Sequence, residues 1–248
     1  MRRALLLALL GLALVAGCGG EDALTETRHG DLVYATGGEG PGRVTVIRAA
    51  DAEGPLPAVL FLHGWGATEP RFYAPWIAHL ARAGNAVIYP RYQESVAEPP
   101  SQVLGNAIVG IRTALTGADL DTDSLVVAGH SAGGALAADY AAIAPRTGLP
   151  PARAVLSMYP GRSLRGIEVS IPSVGPVPRG VRLVVLSGAR DRVVDPRDAQ
   201  AIIRGAETRR RRYVLVRASG AADHLGPQRA TPVSRREFWD RLDALTGR

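Results

Sequence analysis

The chain has 248 residues, a formal net charge of +6, and arginine at every one of its 29 Lys or Arg positions. This length suits one compact domain with a sizeable core, and a charge excess this modest does not indicate a nucleic-acid-binding protein. Because Cys18 is the only cysteine, the chain cannot form an internal disulfide.

The N-terminus has the pattern of an export signal. Arg2 and Arg3 precede an apolar stretch over residues 4 to 16. At about 13 residues this stretch is too short to span a bilayer as a helix, and it suits a signal peptide. It leads into Leu-Val-Ala-Gly-Cys over residues 14 to 18, which resembles the lipobox of bacterial lipoproteins.

The lipobox resemblance implies a lipoprotein signal peptide over residues 1–17 and a fatty acyl anchor, such as palmitate, on Cys18. The protein would then be extracytoplasmic and attached to a bacterial membrane by that lipid. The alternative is an ordinary secretory signal with an incidental cysteine. No second hydrophobic stretch of transmembrane length follows in the sequence.

Residues 18–42 are polar and glycine-rich, which predicts a flexible tether, and the folded domain is expected over residues 43–248. Within that domain, strand and helix patterns alternate. Apolar runs typical of buried strands occur at residues 44–47, 58–62, 86–89, 124–128, 154–158, 181–187 and 213–216. Alternation of this kind predicts an α/β domain with a mostly parallel sheet and helices on both faces.

Helical periodicity is clearest in two segments. One carries apolar residues at positions i, i+3, i+4 and i+7, namely Tyr73, Trp76, Ile77 and Leu80. The other begins at Thr231-Pro232 and repeats Phe238, Leu242 and Leu245 on one face.

Residues 160 to 180 break the alternation of strands and helices, because they hold four prolines and four glycines without helical periodicity. We predict a loop there and no helical lid.

The most informative motif is Gly-His-Ser-Ala-Gly at residues 129 to 133, the G-x-S-x-G pattern of a nucleophile elbow. A strand pattern precedes it and an alanine-rich helix pattern follows it, as the motif requires. The sharp turn is expected to hold Ser131 in a strained conformation, with small neighbours so that strand and helix can cross.

The elbow and the order of the elements resemble the α/β-hydrolase family over roughly residues 44 to 246, in particular dienelactone-hydrolase-like and lidless esterase members. The resemblance implies an α/β-hydrolase fold without a large cap domain. It also implies a catalytic triad in the chain order serine, acid, histidine.

The resemblance places the acid after a late strand, where Asp191 lies. Asp195 is the rival, but its position before Pro196 already explains it as a helix cap. The histidine is expected after the last strand, where His224 lies. Its neighbour Asp223 is a poor candidate for the acid, because adjacent side chains rarely align for the required hydrogen bond.

The other histidines are assigned elsewhere: His29 to the tether, His79 to a helix and His130 to the variable position of the elbow. The oxyanion hole needs two backbone N–H groups. One is expected from Ala132, the residue after the nucleophile. The second comes from a loop that reads His-Gly-Trp-Gly over residues 63 to 66 and is similar to the H-G-x-G loop of many lipases and esterases. By that resemblance Trp65 donates the second N–H, and His63 anchors the loop.

These residues predict a serine esterase that works through an acyl-enzyme, with no metal or organic cofactor, acting on small or polymeric esters. The alternatives are an acyltransferase with the same triad and a catalytically silent binding lipoprotein. A peptidase would usually carry an extra domain or cap.

The run Arg209 to Arg212 is interpreted as a solvated strand edge and not as a nucleic-acid patch, because no aromatic residues interleave with it. The sequence does not indicate an oligomeric state.

Overall fold

The computed structural model describes residues 23–163 and 170–247. The predicted signal peptide over residues 1–17 and the predicted lipidation site Cys18 lie outside the described residues. Within the described ranges, no helix is both long enough and apolar enough to cross a bilayer.

The described chain builds one nine-stranded sheet in the order β1-β2-β3-β5-β4-β6-β7-β8-β9. In this order, every neighbouring pair from β5 to β9 is parallel, whereas the pairs β1–β2, β2–β3 and β3–β5 are antiparallel. The strands are β1 Thr25–His29, β2 Leu32–Gly37, β3 Val44–Ala49, β4 Leu56–Leu62, β5 Ala86–Pro90, β6 Leu120–His130, β7 Ala154–Met158, β8 Arg182–Gly188 and β9 Arg211–Val216. The predicted parallel sheet is therefore confirmed.

The predicted tether is wrong where the structure describes it. Residues 25 to 37 form the β1–β2 hairpin, which extends the sheet by two strands. The hairpin turns at Gly30, whose φ of 63° suits glycine. β2 buries Leu32, Val33 and Ala35 against the domain, while β1 is exposed along its whole length. A polar edge strand of this kind carries no apolar pattern, which is why it resembled a linker.

Helices cover both faces of the sheet, as predicted. α2 Val103–Gly117, α3 Ala132–Thr147 and α4 Pro196–Gly205 pack on one face. The other face packs against α1 Ala74–Arg82 and the C-terminal helical segment, which comprises α5 Pro232–Ser234, a π-helical turn Arg235–Trp239 and α6 Asp240–Thr246. Adjacent residues of β4 therefore pack on opposite faces of the sheet: Leu60 belongs to the core under α2, α3 and α4, and Phe61 to the core under α1 and the C-terminal helical segment. Strands buried on both faces have to be continuously apolar.

The segment over residues 160 to 180 contains no helix or strand in its described parts, 160–163 and 170–180. It is fixed to α3 by an ion pair in which Arg162 donates two hydrogen bonds of 2.8 Å to the buried carboxylate of Asp139. The Ile171 N–H donates to the Arg162 carbonyl at 2.8 Å. Among the described residues, nothing forms a cap domain over the C-terminal edge of the parallel strands, where ligands of α/β sheets bind.

Candidate active site

Ser131 lies at the tip of a sharp turn between β6 and α3. Its backbone has φ 57° and ψ −123°, a region that a non-glycine residue enters only under strain. The flanking glycines allow the chain to cross itself. A Cβ on Gly129 would lie 2.0 Å from the Gly133 carbonyl oxygen, and one on Gly133 would lie 2.1 Å from the Leu62 carbonyl oxygen. The structure therefore has the strained, glycine-flanked elbow that the motif predicts.

The structure brings Ser131, His224 and Asp191 into one hydrogen-bonded line. His224 Nε2 lies 3.0 Å from Ser131 Oγ, and His224 Nδ1 lies 2.8 Å from Asp191 Oδ2. The other carboxylate oxygen of Asp191 accepts the backbone N–H groups of Val193 at 2.8 Å and Val194 at 3.3 Å. The Nδ1–H tautomer of His224 satisfies both ring contacts, because Nε2 then accepts the serine proton.

The two rival carboxylates have other partners. Asp195 caps α4 by accepting the Arg197 N–H at 2.9 Å. Asp223 lies 2.7 Å from the Arg229 guanidinium, whose hydrogen bond is the main reason that the pKa of Asp223 is lowered. Of these three acidic residues, only Asp191 contacts the ring of His224.

Ala132 supplies one free backbone N–H beside the serine. The first four N–H groups of a helix have no partner within the helix. In α3, Gly133 donates to the His63 carbonyl, while Gly134 and Ala135 donate to the Ser131 carbonyl. The Ala132 N–H finds no acceptor among the described residues. It stays available at the positive end of the helix dipole.

Trp65 supplies a second free N–H from the loop after β4. Gly64 N–H donates to the Tyr73 hydroxyl at 3.0 Å, Gly66 N–H to Gln93 Oε1 at 3.0 Å and Ala67 N–H to the Gly64 carbonyl at 2.9 Å. The Trp65 N–H has no such partner within the described ranges. The loop lies against the serine, since a Cβ on Gly64 would be 3.4 Å from Ser131 Cβ. Both expected oxyanion donors therefore lie beside Ser131 with their N–H groups free.

His63 is buried and anchors this loop, as predicted. Its Nε2 lies 2.6 Å from the Arg91 carbonyl oxygen, and its Nδ1 lies 2.7 Å from the Gly64 carbonyl oxygen. The ring stacks on Tyr92 at 3.9 Å between centroids. Burial lowers the pKa of His63 to about 4, so near pH 7 the ring is neutral and its single N–H donates to one of these two carbonyl oxygens at a time.

His130, the variable residue of the elbow, makes contacts that no local sequence pattern indicated. The Tyr73 hydroxyl accepts the Gly64 N–H, so its own proton points to His130 Nδ1 at 2.8 Å. His130 Nε2–H can then donate to the His224 backbone carbonyl at 2.8 Å. Burial is the largest cause that holds the pKa of His130 well below its usual value, which keeps this neutral tautomer. We call this buried chain of hydrogen bonds the Tyr73–His130 link.

The Tyr73–His130 link joins the oxyanion loop, the elbow and the histidine loop. Only the long-range fold could reveal it, because Tyr73 and His130 are 57 positions apart in the chain. Gln228, four residues after His224, adds a 3.4 Å hydrogen bond to the same Tyr73 hydroxyl. Through these contacts the Tyr73–His130 link connects the three segments that carry the candidate catalytic groups.

Tyr73→Phe tests the link. Removal of the hydroxyl leaves the Gly64 N–H and His130 Nδ1 unpaired in a buried site, which should cost about 1–3 kcal/mol of stability. Displacement of the His224 loop should lower kcat for ester hydrolysis by about 10- to 100-fold. Steady-state kinetics and urea unfolding measure both effects. The control is Tyr34→Phe in β2, whose hydroxyl makes no hydrogen bond to the described residues. A Tyr73→Phe enzyme with wild-type kcat would show that the link does not position the site.

No group of His, Cys, Asp or Glu side chains within the described ranges has the arrangement to hold a metal ion. The groups that the site presents are the Ser131 hydroxyl, the His224 imidazole, the Asp191 carboxylate and two free backbone N–H groups. A hydroxyl next to an oriented imidazole is the arrangement of an activated nucleophile.

Comparison with known proteins supports the fold described above. Residues 59–175 match a protein family described as having the alpha/beta hydrolase fold. No curated protein sequence matches the chain. Among solved structures, similarity extends over most of the chain but at low sequence identity.

Three of these structures illustrate the similarity. A Klebsiella pneumoniae protein assigned as a dienelactone hydrolase is 19% identical, with a TM-score of 0.62 over 86% of this chain and 93% of that one. A thermostable esterase from Pseudomonas putida is 17% identical, with a TM-score of 0.63 over 90% and 81%. A fungal esterase from Rhizomucor miehei is 16% identical, with a TM-score of 0.65 over 90% and 82%. The chain has the α/β-hydrolase fold.

Proposed function

We propose that this protein is a serine hydrolase that cleaves carboxylic esters through an acyl-enzyme on Ser131. The observation that carries the proposal is the line from Asp191 through His224 to Ser131, at 2.8 and 3.0 Å, beside the free N–H groups of Trp65 and Ala132. The α/β-hydrolase fold and its similarity to esterases support an ester as the substrate class.

In the acylation half, His224 Nε2 takes the hydroxyl proton while Ser131 Oγ forms a bond to the ester carbonyl carbon. The carbonyl oxygen becomes negatively charged and accepts hydrogen bonds from the N–H groups of Trp65 and Ala132. Asp191 holds the ring and stabilises the imidazolium without taking its proton. The carbon–oxygen bond to the alcohol then breaks, and His224 returns the proton to the leaving oxygen.

In the deacylation half, a water molecule takes the place of the departed alcohol. His224 removes one proton from the water as its oxygen attacks the acyl carbon, and the same two N–H groups stabilise the negative oxygen. The bond between the acyl carbon and Ser131 Oγ breaks, and the imidazolium gives its proton to Oγ. The products are a carboxylic acid and the free enzyme.

Exposed apolar side chains lie on the loops that carry the site. Val96, whose carbonyl accepts the Trp65 indole N–H at 3.1 Å, is 67% exposed. Leu225 follows His224 and is 51% exposed, and Val193, whose N–H contacts Asp191, is 40% exposed. This open apolar rim can contact a bulky ester, but it offers no deep wall to a long acyl chain.

Short-chain esters should therefore react faster than long-chain esters. Each methylene gains about 0.8 kcal/mol only where a wall buries it, and no described element forms a lid that would open at an interface. We expect higher kcat/KM on p-nitrophenyl acetate and butyrate than on p-nitrophenyl palmitate, with no rate jump at the micellar threshold. A preference for palmitate would require an acyl tunnel that the described residues do not form.

The same panel distinguishes hydrolysis from acyl transfer. With added alcohol, a hydrolase releases mainly the free acid, whereas an acyltransferase forms a new ester. If circular dichroism shows that the enzyme is folded and it still hydrolyses none of these esters, the proposal is contradicted and a catalytically silent binding protein is favoured.

We also propose that the protein is held outside the cytoplasm on a bacterial membrane by a lipid on Cys18. The support is the lipobox-like sequence that ends at this residue. Cys18→Ser should shift the protein from the membrane fraction to a soluble or unprocessed form. Fractionation followed by immunoblotting measures this partition, with Ser219→Ala as the control. A signal-cleaved Cys18→Ser protein that stays in the membrane fraction would contradict the anchor.

A further inference from the structure

A groove of about 470 Å³ lies at the end of the sheet opposite the candidate active site. Its walls come from the starts of β8 and β9 and from the C-terminal helical segment. Seven of its lining residues are arginines: Arg182, Arg209, Arg210, Arg211, Arg212, Arg236 and Arg241. We call it the arginine groove.

Within the described ranges, most of the charges in the arginine groove are uncompensated. Asp240 is the only acid in its lining, so the lining carries a net charge of +6, which equals the formal net charge of the whole chain. Of these seven arginines, only Arg241 pairs with a carboxylate of the described part of the chain, that of Glu237 at 3.0 Å. Arg182 and Arg211 donate only to backbone carbonyls. The remaining four guanidinium groups have no partner among the described residues.

Several arginines outside the groove each form an ion pair with one carboxylate, for example Arg48–Glu26, Arg82–Asp31, Arg162–Asp139 and Arg229–Asp223. Arginines that guard an exposed edge strand against aggregation would account for Arg211 and Arg212 on β9. They would not account for Arg182 on β8 or Arg236 on the C-terminal segment, which face the same groove. Three separate parts of the chain concentrate like charges at one place.

We infer that the arginine groove binds a linear, phosphate-rich polyanion. The guanidinium fork matches the geometry of phosphate oxygens, and several forks along a groove suit a chain with repeating charges. The groove lining contains no aromatic residue, so it lacks the platform on which nucleic-acid bases stack. A non-nucleic phosphate polymer is therefore the favoured occupant.

The topology argues against the protein's own membrane as the occupant. β9 and β1 are the two edges of the nine-stranded sheet, roughly 38 Å apart at about 4.8 Å per strand. Cys18 lies five residues before Ala23, a distance of at most ~18 Å in extended chain. A lipid there would attach the domain to the bilayer at its β1 edge, at the far side of the sheet from the arginine groove.

The arginine groove is also remote from Ser131. Arg182 begins β8, whereas Asp191 follows its end, and a seven-residue strand is about 23 Å long. A bound polymer would leave the candidate active site open, so this inference does not depend on the proposed esterase activity.

The test compares two variants that lose the same charge. In the groove variant, Arg209, Arg210, Arg212 and Arg236 are replaced by glutamine; in the control variant, the exposed Arg28, Arg112, Arg204 and Arg217 are replaced by glutamine. Fluorescence anisotropy with end-labelled inorganic polyphosphate measures Kd at several salt concentrations. The groove variant should bind about 100-fold more weakly, with a shallower salt dependence, and the control variant within about 3-fold of wild type.

Thermal unfolding at low salt gives an independent readout, because relief of repulsion should leave the groove variant as stable as wild type or more stable. If it does not fold, the milder variant Arg210→Gln with Arg212→Gln replaces it. Equal loss of binding in both variants would reduce the effect to bulk charge and overturn the inference. The inference would also be overturned if the protein bound single-stranded DNA as tightly as polyphosphate. Binding to phosphatidylglycerol vesicles without binding to polyphosphate would overturn it as well.

Discussion

Ser131→Ala is expected to lower kcat/KM for ester hydrolysis by at least about 10³-fold, the scale seen when a nucleophile that works with a histidine base is removed. The Ser131 hydroxyl is within hydrogen-bond distance of His224, and its loss removes the atom that would form the acyl-enzyme. The fold should be unaffected, because alanine meets the same backbone constraint at φ 57° as serine does. Steady-state kinetics on p-nitrophenyl butyrate measures the loss.

The matched control is Ser219→Ala, which removes an exposed hydroxyl from the loop that precedes His224. It should retain wild-type kcat/KM. Circular dichroism and thermal unfolding should be the same for both variants and the wild type. If Ser131→Ala kept most of the activity, another residue would have to be the nucleophile.

Asp191→Asn is expected to lower kcat by about 10⁴-fold while the geometry stays intact. The carboxylate accepts the Nδ1–H of His224 at 2.8 Å. An asparagine amide can instead donate to Nδ1, which favours the tautomer with the proton on Nε2. That tautomer cannot accept the proton of Ser131, so the nucleophile is not activated.

Asp195→Ala is the control for the acid, because Asp195 is four residues away and caps α4 through the Arg197 N–H. Loss of the cap should cost about 1 kcal/mol of stability and leave kcat unchanged. Urea unfolding and initial rates measure the two quantities on both variants. An active Asp191→Asn enzyme beside an inactive Asp195→Ala enzyme would assign the acid to Asp195.

The parts of the fold that the sequence predicted are those with strong local patterns. Strands such as β4 and β7 are buried on both faces, so they are continuously apolar and easy to recognise. The elbow glycines were predictable because the crossing of β6 and α3 leaves no room for a side chain. Asp191 and His224 were predicted from the resemblance to α/β-hydrolases, which implies an acid and a histidine after late strands, and in the structure both residues join a hydrogen-bonded line to Ser131.

The remaining features depend on contacts that no local pattern encodes. β1 is exposed along its length, so its residues carry no apolar signal, and the hairpin with β2 was mistaken for a tether. The Tyr73–His130 link joins residues from separate elements, and either side chain alone looks like an ordinary core residue. The arginine groove needs Arg182 and Arg236 beside the run at residues 209 to 212, which sequence alone suggested was a solvated edge.

Covalent labelling with a fluorophosphonate tests the central proposal most directly, because the probe reacts with an activated serine whatever the natural ester is. Mass spectrometry of the labelled protein should find one adduct, on Ser131, with no adduct in Ser131→Ala and strongly slowed labelling in Asp191→Asn. A folded wild-type protein that takes no label, or carries it on another serine, would contradict the assignment of Ser131 as the nucleophile.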